Sequence, residues 1–142
     1  MRARLVTIMA SAGLGLVVSL YLLSVHWGWG QIVCFDIGDC EVVNASVYAE
    51  LLGIPVALLG AVTYLALLAT GILSWRQIYE EPASLVQFFL AAIGVAFSVY
   101  LTYVEIFVLR AICPWCVLSA ILITLIASLS VWQVRDMEID KA

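Results

Sequence analysis

Four cysteines carry the reactive chemistry of this sequence: Cys34, Cys40, Cys113 and Cys116. The last two bracket a proline and a tryptophan, Cys113-Pro114-Trp115-Cys116. C-x-x-C is the spacing of dithiol redox sites and of zinc knuckles. Proline lacks an N–H and suits the first position of a helix, which makes Cys113 the cap and places Cys116 in the first turn on roughly the same face. The unpaired amides and the dipole there favour an anion, and thiolate is the reactive form of cysteine. Both sulfurs are therefore placed to react and to close a disulfide. Cys34 and Cys40 are separated by five residues that include Gly38, a flexible spacing. The competing reading is a pair of structural disulfides stapling two loops. A zinc site drawn from all four would need C-x5-C as an awkward half-site, so no metal is expected.

The elements that must hold these cysteines are membrane helices. Of 142 residues, 65% are hydrophobic and 11% charged, against about 25% charged in a soluble domain. The mean hydropathy is +1.15. With no basic tract, nucleic acid is not an expected partner. A spanning helix needs roughly 20 apolar residues, and residues 5–27, 55–75, 85–108 and 114–134 qualify. The runs are continuous, so they are helices rather than the alternating strands of a barrel. The first run is too long for a signal peptide and lacks a small-x-small cleavage site. The expected fold is an all-α membrane protein, a four-helix transmembrane bundle forming a single domain over 1–142. Its long outer loop, 28–54, carries a short interfacial helix. That helix is expected over 44–53, capped by Asn44 or Ser46 and stopped at Gly53, with Val47 and Leu51 against the bundle. Ser11, Gly13 and Gly15 are expected to let the first helix approach a neighbour closely.

Four spans put both termini on one side. Arg2, Arg4, Arg76, Arg135 and Lys141 then share that face and Arg110 alone lies opposite. Lys and Arg concentrate on the cytoplasmic side, so both termini are expected there. All four cysteines fall on the outer side, where disulfides persist. His26 sits at the outer interface. Trp115 there reads equally as an interfacial anchor. Glu105 is the ionisable group nearest membrane depth. It is expected to reach the interface and pair with Arg110, five residues on; relaying protons is the alternative.

The ordered set Cys34, Cys40, Ser46, Leu-Gly-Ile-Pro-Val-Ala-Leu-Leu-Gly at 52–60, Glu105 and the C-P-W-C at 113–116 resembles bacterial homologues of vitamin K epoxide reductase, over about residues 5–134. The disulfide bond protein B family also links thiols to quinones, but it carries its C-x-x-C in the first outer loop; here C-x-x-C comes last. The resemblance implies a membrane thiol oxidase supporting disulfide formation. It would reoxidise a periplasmic thioredoxin-like (DsbA-like) protein and pass the electrons to a membrane quinone, ubiquinone or menaquinone. It also implies the bacterial inner membrane. Cys34 would exchange with the partner and Cys40 would attack a Cys113–Cys116 disulfide at Cys113. Cys116 would face the quinone, and the Ser46 hydroxyl would hydrogen-bond near the site. The animal enzymes carry a tyrosine four residues after the second cysteine of C-x-x-C, where this chain has Ala120. That departure, with the close spacing of the loop pair, favours plain quinone reduction over epoxide reduction. The chain ends about eight residues after the fourth span, so the thiol partner is expected to be a separate protein. No oligomer is called for. For the quinone, Phe97 and Leu101 share a face of the third span with Glu105. Cys116 and Ala120 share a face of the fourth, where alanine leaves room for a ring. Thr63 and Tyr64 look too deep to take part.

Overall fold

The computed structural model describes residues 2–31 and 40–141; Cys34 lies outside them. Four helices are long and apolar enough to cross a membrane. They are α1 (Arg2–His26), α3 (Val56–Trp75), α4 (Glu80–Tyr103, continued by a π-helical stretch Val104–Leu109) and α5 (Pro114–Lys141). In lipid every backbone N–H and C=O must pair within its own segment, so these apolar runs coil. The expected four-helix bundle is what forms.

Two helix ends differ from the expected ones, for electrostatic reasons. α4 begins at Glu80 rather than 85, because Glu80 and Glu81 sit at the positive end of its dipole and Pro82 suits a first turn. α5 continues past 134 to Lys141. Its polar end is held by Asp136, 2.6 Å from the Arg4 guanidinium, and by Lys141, which pairs with Glu81. Arg2 lies over the Trp75 ring, 5.6 Å from its centroid. The link between α3 and α4 reverses sharply through Gln77 and Tyr79, both left-handed with φ of 58° and 53°.

The core joins Ile8 and Ala12 of α1, Tyr64 and Leu67 of α3, Ala91 of α4, and Ile123 and Ile126 of α5. Gly15 is where α1 closes on α3: a Cβ there would lie 2.3 Å from a Tyr64 ring carbon. Gly13 meets nothing within 4 Å and does not share that role. Towards the termini runs a buried polar layer that the sequence reading did not anticipate. Gln87 is 0% exposed and donates to the Ser130 hydroxyl at 3.0 Å; Gln133 donates to the Ser84 hydroxyl at 2.8 Å.

The outer loop departs most from expectation. Its helix, α2, lies earlier, at Cys40–Ala45. Residues Val47–Ala49 form a single 3-10 turn, and Glu50–Leu51 (β1) pairs antiparallel with Ile54–Pro55 (β2). Leu52 and Gly53 make the two-residue connection with φ of 54° and 83°, the positive-φ pair that a tight hairpin requires. Gly53 therefore turns a hairpin instead of stopping a helix. Ser46 does not cap by its side chain; its hydroxyl donates back to the Val43 carbonyl at 2.7 Å. Val47, 82% exposed, faces away from the bundle, as does Leu52, whereas Leu51 and Ile54 are half exposed and line the cavity between the helices.

Candidate active site

The Cys113–Cys116 pair sits where α4 hands over to α5. The Cys113 carbonyl accepts the Val117 N–H at 3.0 Å, so α5 starts at Pro114 as the proline predicts. Both cysteines are free thiols; Cys113 is 0% exposed and Cys116 half-buried. The Cys116 thiol hydrogen-bonds the Cys113 sulfur and holds Cys113 below the usual thiol range. The Trp115 ring packs against Tyr21 of α1, centroids 5.2 Å apart, and so fastens the first turn of α5 to α1.

Glu105 corrects the sequence reading. At Val104 the hydrogen bonding of the last turn widens from α to π, a change often found at functional sites. Arg110 then adopts a left-handed conformation, and the N–H groups of Arg110 and Ala111 both reach the Glu105 carbonyl. This geometry turns the Glu105 side chain inward, where it is 4% exposed. Its Oε2 accepts the Cys113 N–H at 3.3 Å, and its carboxyl also hydrogen-bonds the Cys116 thiol. Among the described residues no ion pair joins Glu105 to Arg110, which is exposed. The physical reason is the amide at the start of α5, which has no helical partner and would otherwise be buried without an acceptor.

Beside the thiols lies a cavity of about 610 Å³, within the size range of small-molecule sites. Its walls include Cys113, Cys116, Glu105 and all four of the expected lining residues, Ser46, Phe97, Leu101 and Ala120. Thr63 and Tyr64, set aside as too deep, line it as well. The Tyr64 hydroxyl donates to the Ser119 carbonyl at 2.8 Å and lies equally close to the Ser119 hydroxyl. The signal that could have placed Tyr64 at the heart of the bundle is a tyrosine inside an apolar run, whose hydroxyl needs a partner when buried. Val62 of α3 and Ile93 of α4 line the cavity and are also exposed on the outside of the bundle. The slot thus opens sideways between α3 and α4. Apolar walls with a few hydroxyls and one carboxyl at the edge fit a flat ring bearing carbonyl oxygens.

The loop closes the outer end. His26 lines the cavity, with Nδ1 3.3 Å from the Asn44 carbonyl and Nε2 3.0 Å from a Glu50 carboxylate oxygen. It is thus more than an interfacial residue, since it ties α1 to two points of the loop. α2, whose first residue is Cys40, packs against the π-helical stretch 104–109. The backbone of Cys40 is thereby carried to the side of the bundle that holds Glu105.

Comparison with known families matches residues 6–131 to the vitamin K epoxide reductase family. Members of that family are membrane oxidoreductases of the thiol–disulfide and quinone-reducing kind, and the family is quinone-linked in general. The matched stretch contains all four cysteines, the widened turn of Glu105 and every residue that walls the cavity. The multi-pass bundle and its site are therefore one family domain, and the chain belongs to the vitamin K epoxide reductase family.

Proposed function

We propose that this chain is a thiol oxidase that drains electrons from a separate thioredoxin-like protein into a membrane quinone. Electrons enter at Cys34–Cys40, pass by thiol–disulfide exchange to Cys113–Cys116, and leave to ubiquinone or menaquinone in the cavity. The observation that carries this reading is the shared wall: Cys116 and Ala120 line the same apolar cavity as Phe97 and Leu101. Thiol–disulfide exchange needs a thiolate aligned with a disulfide sulfur. The lowered Cys113 thiol supports its part in that exchange, as does the packing of the Cys40-bearing α2 against 104–109. Ala120, which offers no hydroxyl at the position where the animal enzymes have tyrosine, favours quinone over epoxide as the acceptor. We place the protein in the bacterial inner membrane with both termini cytoplasmic and the cysteines outside.

The test is quinone reduction by the purified protein, given a reduced dithiol donor and a short-chain quinone, with Cys116→Ser in parallel. Wild type should turn over and the variant should lose quinone reduction by more than about 1000-fold, the scale for removing a group that acts covalently. Turnover by Cys116→Ser at the wild-type rate refutes the assignment.

A further inference from the structure

We propose that Glu105 is the proton carrier of the Cys113–Cys116 dithiol: its carboxylate takes the Cys116 thiol proton and, as the acid, delivers it to a carbonyl oxygen of the quinone. The proposal deepens the function above and rests on it.

The argument begins with cost. A carboxyl 4% exposed between apolar helices is expensive to keep. No cation offsets it among the described residues. Its partners are instead the Cys113 amide and the Cys116 thiol. One partner is an ordinary structural donor; the other is a reacting atom. A proton carrier must be within hydrogen-bond reach of the proton that it moves, and Glu105 is in reach of the Cys116 thiol while also lining the cavity. It is the one carboxyl group among the described residues of the cavity wall. Two of the wall hydroxyls are engaged elsewhere, Tyr64 on the Ser119 carbonyl and Ser46 on the Val43 carbonyl. The backbone of Glu105 is also fixed, since its carbonyl receives the N–H groups of both Arg110 and Ala111. The carboxyl is therefore held against the dithiol on both sides of its own residue.

The step balances. As the Cys113–Cys116 S–S bond forms, two S–H bonds break and two electrons pass to the quinone, giving hydroquinone. The Cys116 proton travels through Glu105 to the nearer oxygen. The second proton balances through bulk solvent: Cys113 releases one and the farther oxygen takes one up. Glu105 finishes as the carboxylate with which it began.

Glu105→Gln isolates this role, because the amide oxygen still accepts the Cys113 N–H while the acid–base capacity is gone. Glu105→Asp keeps the acid on a shorter stem. Quinone reduction is measured for both and for wild type across pH, with a reduced dithiol donor and a short-chain ubiquinone. Glu105→Gln should be slower by about 100-fold, as for loss of a general base. Its residual rate should climb with pH as hydroxide takes over. Glu105→Asp should recover to within about tenfold of wild type. A second readout needs no turnover: the infrared difference spectrum between the dithiol and disulfide forms of the protein without quinone. Wild type should show a carboxyl band that changes with thiol state and is missing in Glu105→Gln. A Glu105→Gln rate within about twofold of wild type, or a wild-type spectrum with no carboxyl change, overturns the proposal. A wild type that reduces no quinone, with its carboxyl band present, overturns the quinone reading and with it the proton's destination.

Discussion

A methyl group on residue 15 would have nowhere to go. The Cβ of an alanine there would overlap the Tyr64 ring, and that ring is held from the other side by its hydroxyl bond to Ser119. Gly15→Val should therefore cost about 1–3 kcal/mol, as overpacking does. It should lower the thermal midpoint in detergent, whereas Gly13→Val, at a position facing open space, should leave the midpoint unchanged. Both glycines carried the same expectation from sequence. Only the angular position of the neighbouring helix separates them, and a single sequence does not contain that angle. Glu105 teaches the same lesson from the other direction. The spacing of Phe97, Leu101 and Glu105 already put the carboxyl on the cavity face. Proximity to Arg110 along the chain suggested a competing partner, and the left-handed turn at Arg110 removed it. The placement of Cys113 and Cys116 at the head of α5, by contrast, was legible from their spacing and from the position of one proline.

At the scale of elements, the long apolar runs were readable because lipid leaves the backbone one solution. The outer loop was not, because there the backbone has water, side chains and neighbouring strands to choose among. The hairpin at 50–55 arises from Leu52 and Gly53 sharing positive φ, a pairing which a leucine does not advertise. The loop's attachment to the bundle is correspondingly local, and His26 is one of its fasteners through Asn44 and Glu50. His26→Ala should free the loop without unfolding the helices. The Glu50 pair is half exposed and worth about 0.2–1 kcal/mol, with a neutral hydrogen bond to Asn44 of about 1 kcal/mol beside it. Hydrogen exchange over residues 40–51 should accelerate by about three- to thirtyfold on that scale. The spans α1, α3, α4 and α5 should keep their protection. Unchanged exchange in the loop would mean that the fastening lies elsewhere.

For the molecule as a whole, charge and polarity run along one axis. Arg2, Arg4, Arg76, Arg135 and Lys141 gather at the end that holds both termini, and Arg110 stands at the other. The buried layer of Gln87, Ser130, Gln133 and Ser84 lies towards the basic end. A glutamine inside an apolar run was the signal for that layer, and its partners come from a helix more than forty residues away in sequence. The basic asymmetry predicts orientation. Alkaline phosphatase fused after Lys141 should be inactive in bacterial cells, and the same reporter inserted in the loop 28–54 should be active; the reverse pattern would invert the assignment. The sideways opening of the cavity has its own consequence. Val62 and Ile93 form a doorway onto lipid, not onto water. A substrate arriving through it is counted per lipid molecule, not per litre. Its effective concentration is a mole fraction in the bilayer, so saturation is set by how crowded the membrane is with quinone and is indifferent to how much buffer surrounds it.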